Sequence, residues 1–160
     1  LDVVVVEKLG APSNPEFALG AVTAEGTVWL DESTLSEVGL DEGALTDRVE
    51  SARRAAEESR RLFRGDGESP SLADRTVVIV DDGIATGATI SACVEQVRAA
   101  GARTVVVAAP VAPPWVVESL YGPADSVLVL ETPPHFRAVG AYYDDFSQVS
   151  DEAVRSALDG

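Results

Sequence analysis

At 160 residues and 46% hydrophobic side chains, the chain is long enough to bury a core and too apolar for disorder. Its 27 acidic against 12 basic residues give a net charge of −15, a field that repels phosphates and sets nucleic-acid binding aside. No apolar run reaches the ~20 residues needed to cross a bilayer, and with one cysteine and one histidine there is no intrachain disulfide and no basis for a zinc centre or a Ser-His-Asp triad around His135.

Asp2–Glu7 carries an uninterrupted valine run and predicts a strand covered on both faces, as parallel sheets require. The chain opens at Leu1, has no methionine and enters that run almost at once, so we expect a fragment lacking its N-terminal portion. Gly10, Pro12, Asn14 and Pro15 punctuate Leu9–Glu16 as a loop. Leu19–Thr23 and Thr27–Leu30 flank Glu25-Gly26 as a hairpin, and Asp31 or Ser33 caps a short helix ending at Gly39. From Asp41 to Arg64, Leu45, Val49, Ala52, Ala56 and Phe63 form one stripe of a long helix, with Glu50–Arg54 and Glu57–Arg61 as i,i+4 pairs. Its six arginines alternate with acids, which reads as a solvated face. Gly65–Asp74 is a polar connector, and residues 31–75 together read as a helical insertion in a single domain spanning 1–160.

The remainder alternates: strand Thr76–Val80, helix Thr89–Ala100, strand Thr104–Ala109, a helix from Pro113-Pro114 to about Tyr121, strand Ser126–Leu130, and a helix Asp151–Leu158 capped by Ser150 or Asp151. Cys93 falls inside a helix as a small buried hydrophobe. With the first valine run this makes four core strands of an α/β fold, a parallel sheet flanked by helices whose ligands bind beyond the carboxyl ends of the strands.

One such end carries chemistry. The strand Val77–Val80 runs into Asp81-Asp82, then Gly83-Ile84-Ala85-Thr86-Gly87-Ala88-Thr89 and a helix. Two adjacent carboxylates repel unless something uses them, and a vicinal diol can donate one charge-assisted hydrogen bond to each. Gly83 and Gly87 permit close backbone approach, Thr86 and Thr89 offer hydroxyls, and a helix start directs N–H groups at an anion. A diol at the acids and a phosphate at the loop describe a ribose 5-phosphate.

Val77–Thr89 resembles the 5-phosphoribosyl-1-pyrophosphate (PRPP) signature of type I phosphoribosyltransferases: four apolar residues, two acids, then a small Thr/Gly-rich loop. The resemblance implies that Asp81 and Asp82 hold the ribose 2′- and 3′-hydroxyls, and that Ala85, Thr86, Gly87, Ala88 and Thr89 hold the 5′-phosphate. Gly83 departs from the apolar residue or serine usual there. Response-regulator receivers also end a strand in paired acids, but near the N-terminus and with a late lysine; no lysine follows Lys8. Asp2–Pro12 is similar to the strand and Arg-Lys-x-Gly loop of adenine-type members, Lys8 and Gly10 matching while Glu7 replaces the arginine. Lys8 is thereby implied as a pyrophosphate contact and joins Asp81 and Asp82 in the catalytic set. Glu131-Thr132-Pro133 with Phe136, Gly140 and Asp144 resembles the hood of hypoxanthine-guanine-type members, which implies that Phe136 stacks on a base and Asp144 lies near base and Mg²⁺. Tyr142, Tyr143 and Phe146 are expected to pack.

Two departures argue against a 6-oxopurine acceptor: Ala85 stands where those enzymes carry an aspartate proposed as general base, and Ala109-Pro110 where they carry a lysine. The family's pyrophosphate loop, which follows an earlier strand, has no counterpart in the sequence. The resemblance implies a glycosyltransferase that moves the 5-phosphoribosyl group of PRPP onto a nitrogen nucleophile of a nucleobase-like acceptor, with Mg²⁺ and release of pyrophosphate. The Leu9–Glu16 loop and the inserted helix are candidates to close over the site. A non-catalytic PRPP sensor is the second reading. We expect a cytoplasmic protein without a membrane or nucleic-acid partner, with a homodimer as an allowed assembly. A single lysine amid so many carboxylates suits a high-salt, halophilic cytoplasm, so stability should rise between low and molar salt.

Overall fold

The structure, a computed structural model, describes residues 1–11, 14–40, 42–65 and 69–159. The chain divides into two compact units, residues 1–69 with 149–160, and residues 70–148.

In the first unit, β1 (Val6–Ala11), β2 (Asn14–Thr23) and β3 (Val28–Leu30) form an antiparallel sheet in that order. This corrects the reading of Asp2–Glu7. The strand begins only at Val6, and its partner is antiparallel β2, with Val6 opposite Thr23 and Lys8 opposite Ala21. Val5 instead buries against Ala24 and Ala56, and its carbonyl accepts from Ala24 N–H at 3.0 Å. A valine run records apolar surroundings and extended backbone but does not name the strand it pairs with. Much of the expected Leu9–Glu16 loop is likewise strand, with register shifts on either side of Gly10; Pro12 lies outside the described residues.

The hairpin at Glu25-Gly26 forms as expected, Gly26 taking φ 93°. Gly20 faces Leu30 across β2 and β3, and a Cβ there would meet the Trp29 carbonyl oxygen and the Leu30 side chain. Gly20→Ala should therefore destabilise the protein by about 1–3 kcal/mol, the usual cost of overpacking, read as a lower urea midpoint. An unchanged midpoint would show that β3 can move away freely.

Asp31, not Ser33, caps α1 (Glu32–Val38), its Oδ1 accepting from Thr34 N–H at 3.1 Å, and Gly39 closes the helix at φ 66°. A 3₁₀ turn (Glu42–Leu45) leads into α2 (Thr46–Arg64). The expected stripe faces inward: Leu45 and Val49 join Ala11, Leu19 and Leu35, while Ala56 and Phe63 join Val5 and Ala24. Glu50 meets Arg54 at 3.1 Å as expected, but Glu57 takes Arg53 at 3.1 Å instead of Arg61. Arg64, mostly buried, donates to Asp2 at 2.7 Å and to the Val3 carbonyl at 2.9 Å, tying the start of the chain to the end of α2. α5 (Asp151–Asp159) completes this unit, Ser150 Oγ accepting from Ala153 N–H.

The second unit is a parallel sheet of β4 (Thr76–Val80), β5 (Thr104–Val111) and β6 (Ser126–Glu131) in that order, linked by α3 (Ala88–Ala99) and α4 (Pro114–Leu120). Among the described residues the parallel core thus has three strands, not four. Both crossovers step the same way across the sheet, and right-handed connections then set both helices on one face. Ile79, Val105, Val107, Ala109, Val111 and Val127 are buried, whereas Val78, Val80, Leu128 and Leu130 on the alternate positions are exposed, Leu130 at 85%. Cys93 is buried in α3.

At the amino end of this sheet Asp125 accepts from Val105 N–H at 2.7 Å and from the Arg98 guanidinium at 2.6 Å. These bonds, the backbone one foremost, hold its carboxyl below the ordinary 3.8. A depressed folded value means the stabilisation is present above the unfolded pKa and lost as pH falls through the folded one. Asp125→Asn should therefore lower the Tm at neutral pH, with the gap to the native protein closing as pH drops below about 4. A gap independent of pH would assign the effect to lost packing.

Candidate active site

The acid pair stands where β4 stops pairing. Asp81 N–H still reaches the Ala108 carbonyl at 3.2 Å, the last rung toward β5, and Asp81 Oδ1 accepts from Asp82 N–H at 2.9 Å. Asp81 is half-buried and Asp82 exposed, so neither carboxylate is packed into the core. The chain then dips inward. Gly83 and Ile84 are buried, and Ile84 N–H bonds the Val111 carbonyl at 2.9 Å, pinning the loop to the end of β5.

From Ala85 the loop rises to the start of α3. Thr86 is exposed, Thr89 half-exposed, and Gly87 occupies the N-cap position at φ 84°, a left-handed conformation that glycine adopts without strain. Among the described residues no side chain caps α3, and no acidic residue lies in its first turn. Helix starts favour acids and need acceptors for their first N–H groups. A chain with 27 carboxylates places none in this turn.

The segment after β6 folds onto this loop. The 3₁₀ turn Val139–Tyr142 brings Val139 against Gly83, where an added Cβ would lie 2.5 Å from one Val139 methyl and 3.1 Å from a Val111 methyl. This accounts for glycine at a position where a side chain was expected: Val139 already fills the space. Tyr143 Oη donates to the Asp82 carbonyl at 2.6 Å, fastening the backbone of the acid pair. Of the aromatics expected to pack, Tyr142 stacks on Phe136 at 5.7 Å and Tyr143 tilts on Phe146 at 5.1 Å.

Ala85 and Phe136 line one cavity of about 590 Å³, together with Trp115, His135, Arg137 and three prolines. Asp144 is not among its lining residues. Lys8 belongs to the other unit, exposed on β1. Trp115 and Arg137 escaped the sequence reading, which weighed His135 only as a zinc or triad residue. The one usable signal was Pro113-Pro114 directly after β5, since loops at the carboxyl ends of parallel strands line the site.

A family model described as a phosphoribosyl transferase domain matches residues 35–146, a span that takes in the acid pair, the loop and Phe136. The chain belongs to the phosphoribosyl transferase domain family. Two curated proteins from Mycobacterium tuberculosis, each named "Putative phosphoribosyl transferase" (one from each of two strains), are 44% identical over 161 residues. The alignment covers 99% of this chain and 36% of theirs, so the chain spans about a third of these relatives. The crystal structure of TT1426 from Thermus thermophilus matches with a TM-score of 0.75 and 45% identity, over 99% of this chain and 74% of that one. The phosphoribosyl transferase fold, a parallel sheet flanked by helices, is thus the fold of this chain.

The chemistry of the donor set bears on Mg²⁺. Among the described residues no three His, Cys, Asp or Glu side chains converge in a metal-holding group. Mg²⁺ commonly binds through one or two carboxylates, substrate phosphates and water, and Asp81 and Asp82 offer that kind of partial shell.

Proposed function

We propose that this chain binds PRPP at Asp81–Thr89 and transfers its 5-phosphoribosyl group to a nitrogen nucleophile. The observation that carries this reading is the accessible acid pair followed, within one pinned turn, by a helix start with neither side-chain cap nor acid. The carboxylates of Asp81 and Asp82 accept from the ribose 2′- and 3′-hydroxyls. The backbone N–H groups from Ala85 to Thr89 and the Thr86 and Thr89 hydroxyls take the 5′-phosphate. As the C1′–O bond to pyrophosphate breaks and a C1′–N bond forms, positive charge gathers on the ribose ring close to the acids. Held in place beforehand, they stabilise it without reorganising. When bound, Mg²⁺ supplies neutralisation of the departing pyrophosphate, with Asp81, Asp82 and Asp144 the side chains proposed to hold it. Lys8 is proposed as a pyrophosphate contact on the lysine–glycine resemblance alone.

The test is pyrophosphate release from PRPP and Mg²⁺ across a panel of nitrogenous acceptors, alongside calorimetry of PRPP binding. Binding with turnover supports transfer, and failure to bind PRPP overturns the proposal. The Ala85 methyl, which accepts no proton, favours the second reading, a PRPP-sensing protein; binding without turnover on any acceptor would establish that one.

A further inference from the structure

The cavity beside the phosphate loop has a composition that the ribose phosphate does not explain. Part of its wall is flat and apolar, the rings of Trp115 and Phe136 and the prolines at 113, 114 and 134, and part is polar, from His135 and Arg137. Phe136 is held by its stack on Tyr142, with the ring planes 16° apart, and the prolines are rigid, so that side of the cavity is set before anything binds, while Trp115 stands 57% exposed. At about 590 Å³ the space falls within the range of small-ligand pockets. A phosphate or pyrophosphate alone gains nothing from aromatic walls, whereas a planar heteroaromatic ring gains stacking and burial.

The charges are placed as tellingly. Within residues 70–148 the basic side chains are Arg75, Arg98, Arg103, His135 and Arg137. Arg75 and Arg103 precede β4 and β5 at the amino end of the sheet, and Arg98 is committed to Asp125 and to the Arg103 and Pro123 carbonyls. His135 and Arg137 are the two that line the cavity, and among the described residues neither has a hydrogen-bond or ion-pair partner. Among the described residues no carboxylate lines it, in a chain whose net charge is −15. A guanidinium left unpaired amid so many acids, beside stacked rings, suits a ligand carrying its own anion. Ala85 belongs both to the phosphate loop and to the cavity wall, so a ring bound here lies against the loop proposed to hold the ribose phosphate.

Resting on the transfer reading above, we propose that this cavity is the acceptor subsite and that it selects a planar nitrogen heteroaromatic bearing a carboxylate. Trp115 and Phe136 sandwich the ring, Arg137 pairs with the carboxylate, and His135 adds a second donor.

The experiment is a titration of the whole chain, followed by saturation-transfer NMR, with indole-2-carboxylate and its neutral isostere indole-2-carboxamide. The native protein should bind the carboxylate about tenfold or more tightly than the amide, the worth of one charged hydrogen bond. Arg137→Gln should abolish that preference while still binding the amide, and Trp115→Ala should weaken both ligands, each variant keeping a cooperative thermal transition. Equal affinities in the native protein, or a preference that survives Arg137→Gln, overturns the subsite. Calorimetry of PRPP on the native protein separates the two levels. If PRPP binds and the carboxylate preference is absent, the subsite alone fails. If the preference holds and PRPP does not bind, the cavity is an anion-selective aromatic site and the transfer reading fails.

Discussion

Replacing Asp81 and Asp82 together with asparagine is expected to weaken PRPP binding about 10- to 100-fold while leaving the fold intact. Hydrogen bonds to charged groups contribute about 1.5–3 kcal/mol each. Asparagine keeps one acceptor oxygen and loses the charge, so two such bonds reduced by about half remove about 1.5–3 kcal/mol, a factor of roughly 10 to 100. Neither carboxylate is packed into the core. Asp82 is exposed and anchored by its backbone carbonyl to Tyr143, and the Asp81 side chain accepts from an amide that asparagine's own oxygen can still serve. Removing two neighbouring negative charges from a chain at −15 also relieves repulsion, so the Tm should hold or rise slightly. Calorimetry with PRPP and Mg²⁺, paired with a thermal scan, reads both quantities. Native affinity in the double variant would remove the diol role.

The second large effect is structural and reaches the site through packing. Gly83→Ala should lower stability by about 1–3 kcal/mol, because the added methyl drives into Val139 and Val111, whose short, branched side chains cannot swing aside. For a chain of this size that corresponds to a fall in Tm of about 3–10 °C. The same displacement should impair PRPP binding, since Val139 opens the 3₁₀ turn that carries Tyr143 to the Asp82 carbonyl. Val139→Ala makes room for the new methyl, so the double variant Gly83→Ala/Val139→Ala should recover much of the loss. In a double-mutant cycle this appears as a favourable coupling of about 1 kcal/mol or more. Additive effects of the two substitutions would show that Gly83 is required for its backbone and not for the space it leaves.

Local chemistry made much of the second unit legible. Apolar runs of strand length ending in acids or prolines marked β4, β5 and β6 to within two residues at their carboxyl ends, because each strand's own side chains record the layer it packs against. The acid pair, the loop and the glycine before α3 form one continuous stretch, so the proposed phosphate cradle was readable without knowing where any other element lies. The same holds for the Asp31 cap, the Gly39 stop and the stripe along α2. Where two elements had to find each other, the reading went astray. The valine run at Asp2–Glu7 predicted a parallel strand, yet the residues that pair are Val6–Ala11, antiparallel to β2. Glu57 had Arg53 and Arg61 at equal sequence distance, and the rotamers settled on Arg53.

By itself, then, the amino-acid order determined the α/β class, the acid-pair loop, the caps and the family resemblance, all of which depend on neighbours in the chain or on periodicity. Tertiary structure alone decided that Val139 occupies the room above Gly83, that Tyr143 fastens Asp82, and that Trp115, His135 and Arg137 meet Ala85 around one cavity. Those residues lie tens of positions apart, and what brings them together is the parallel sheet, whose strands all deliver their carboxyl-end loops to the same edge.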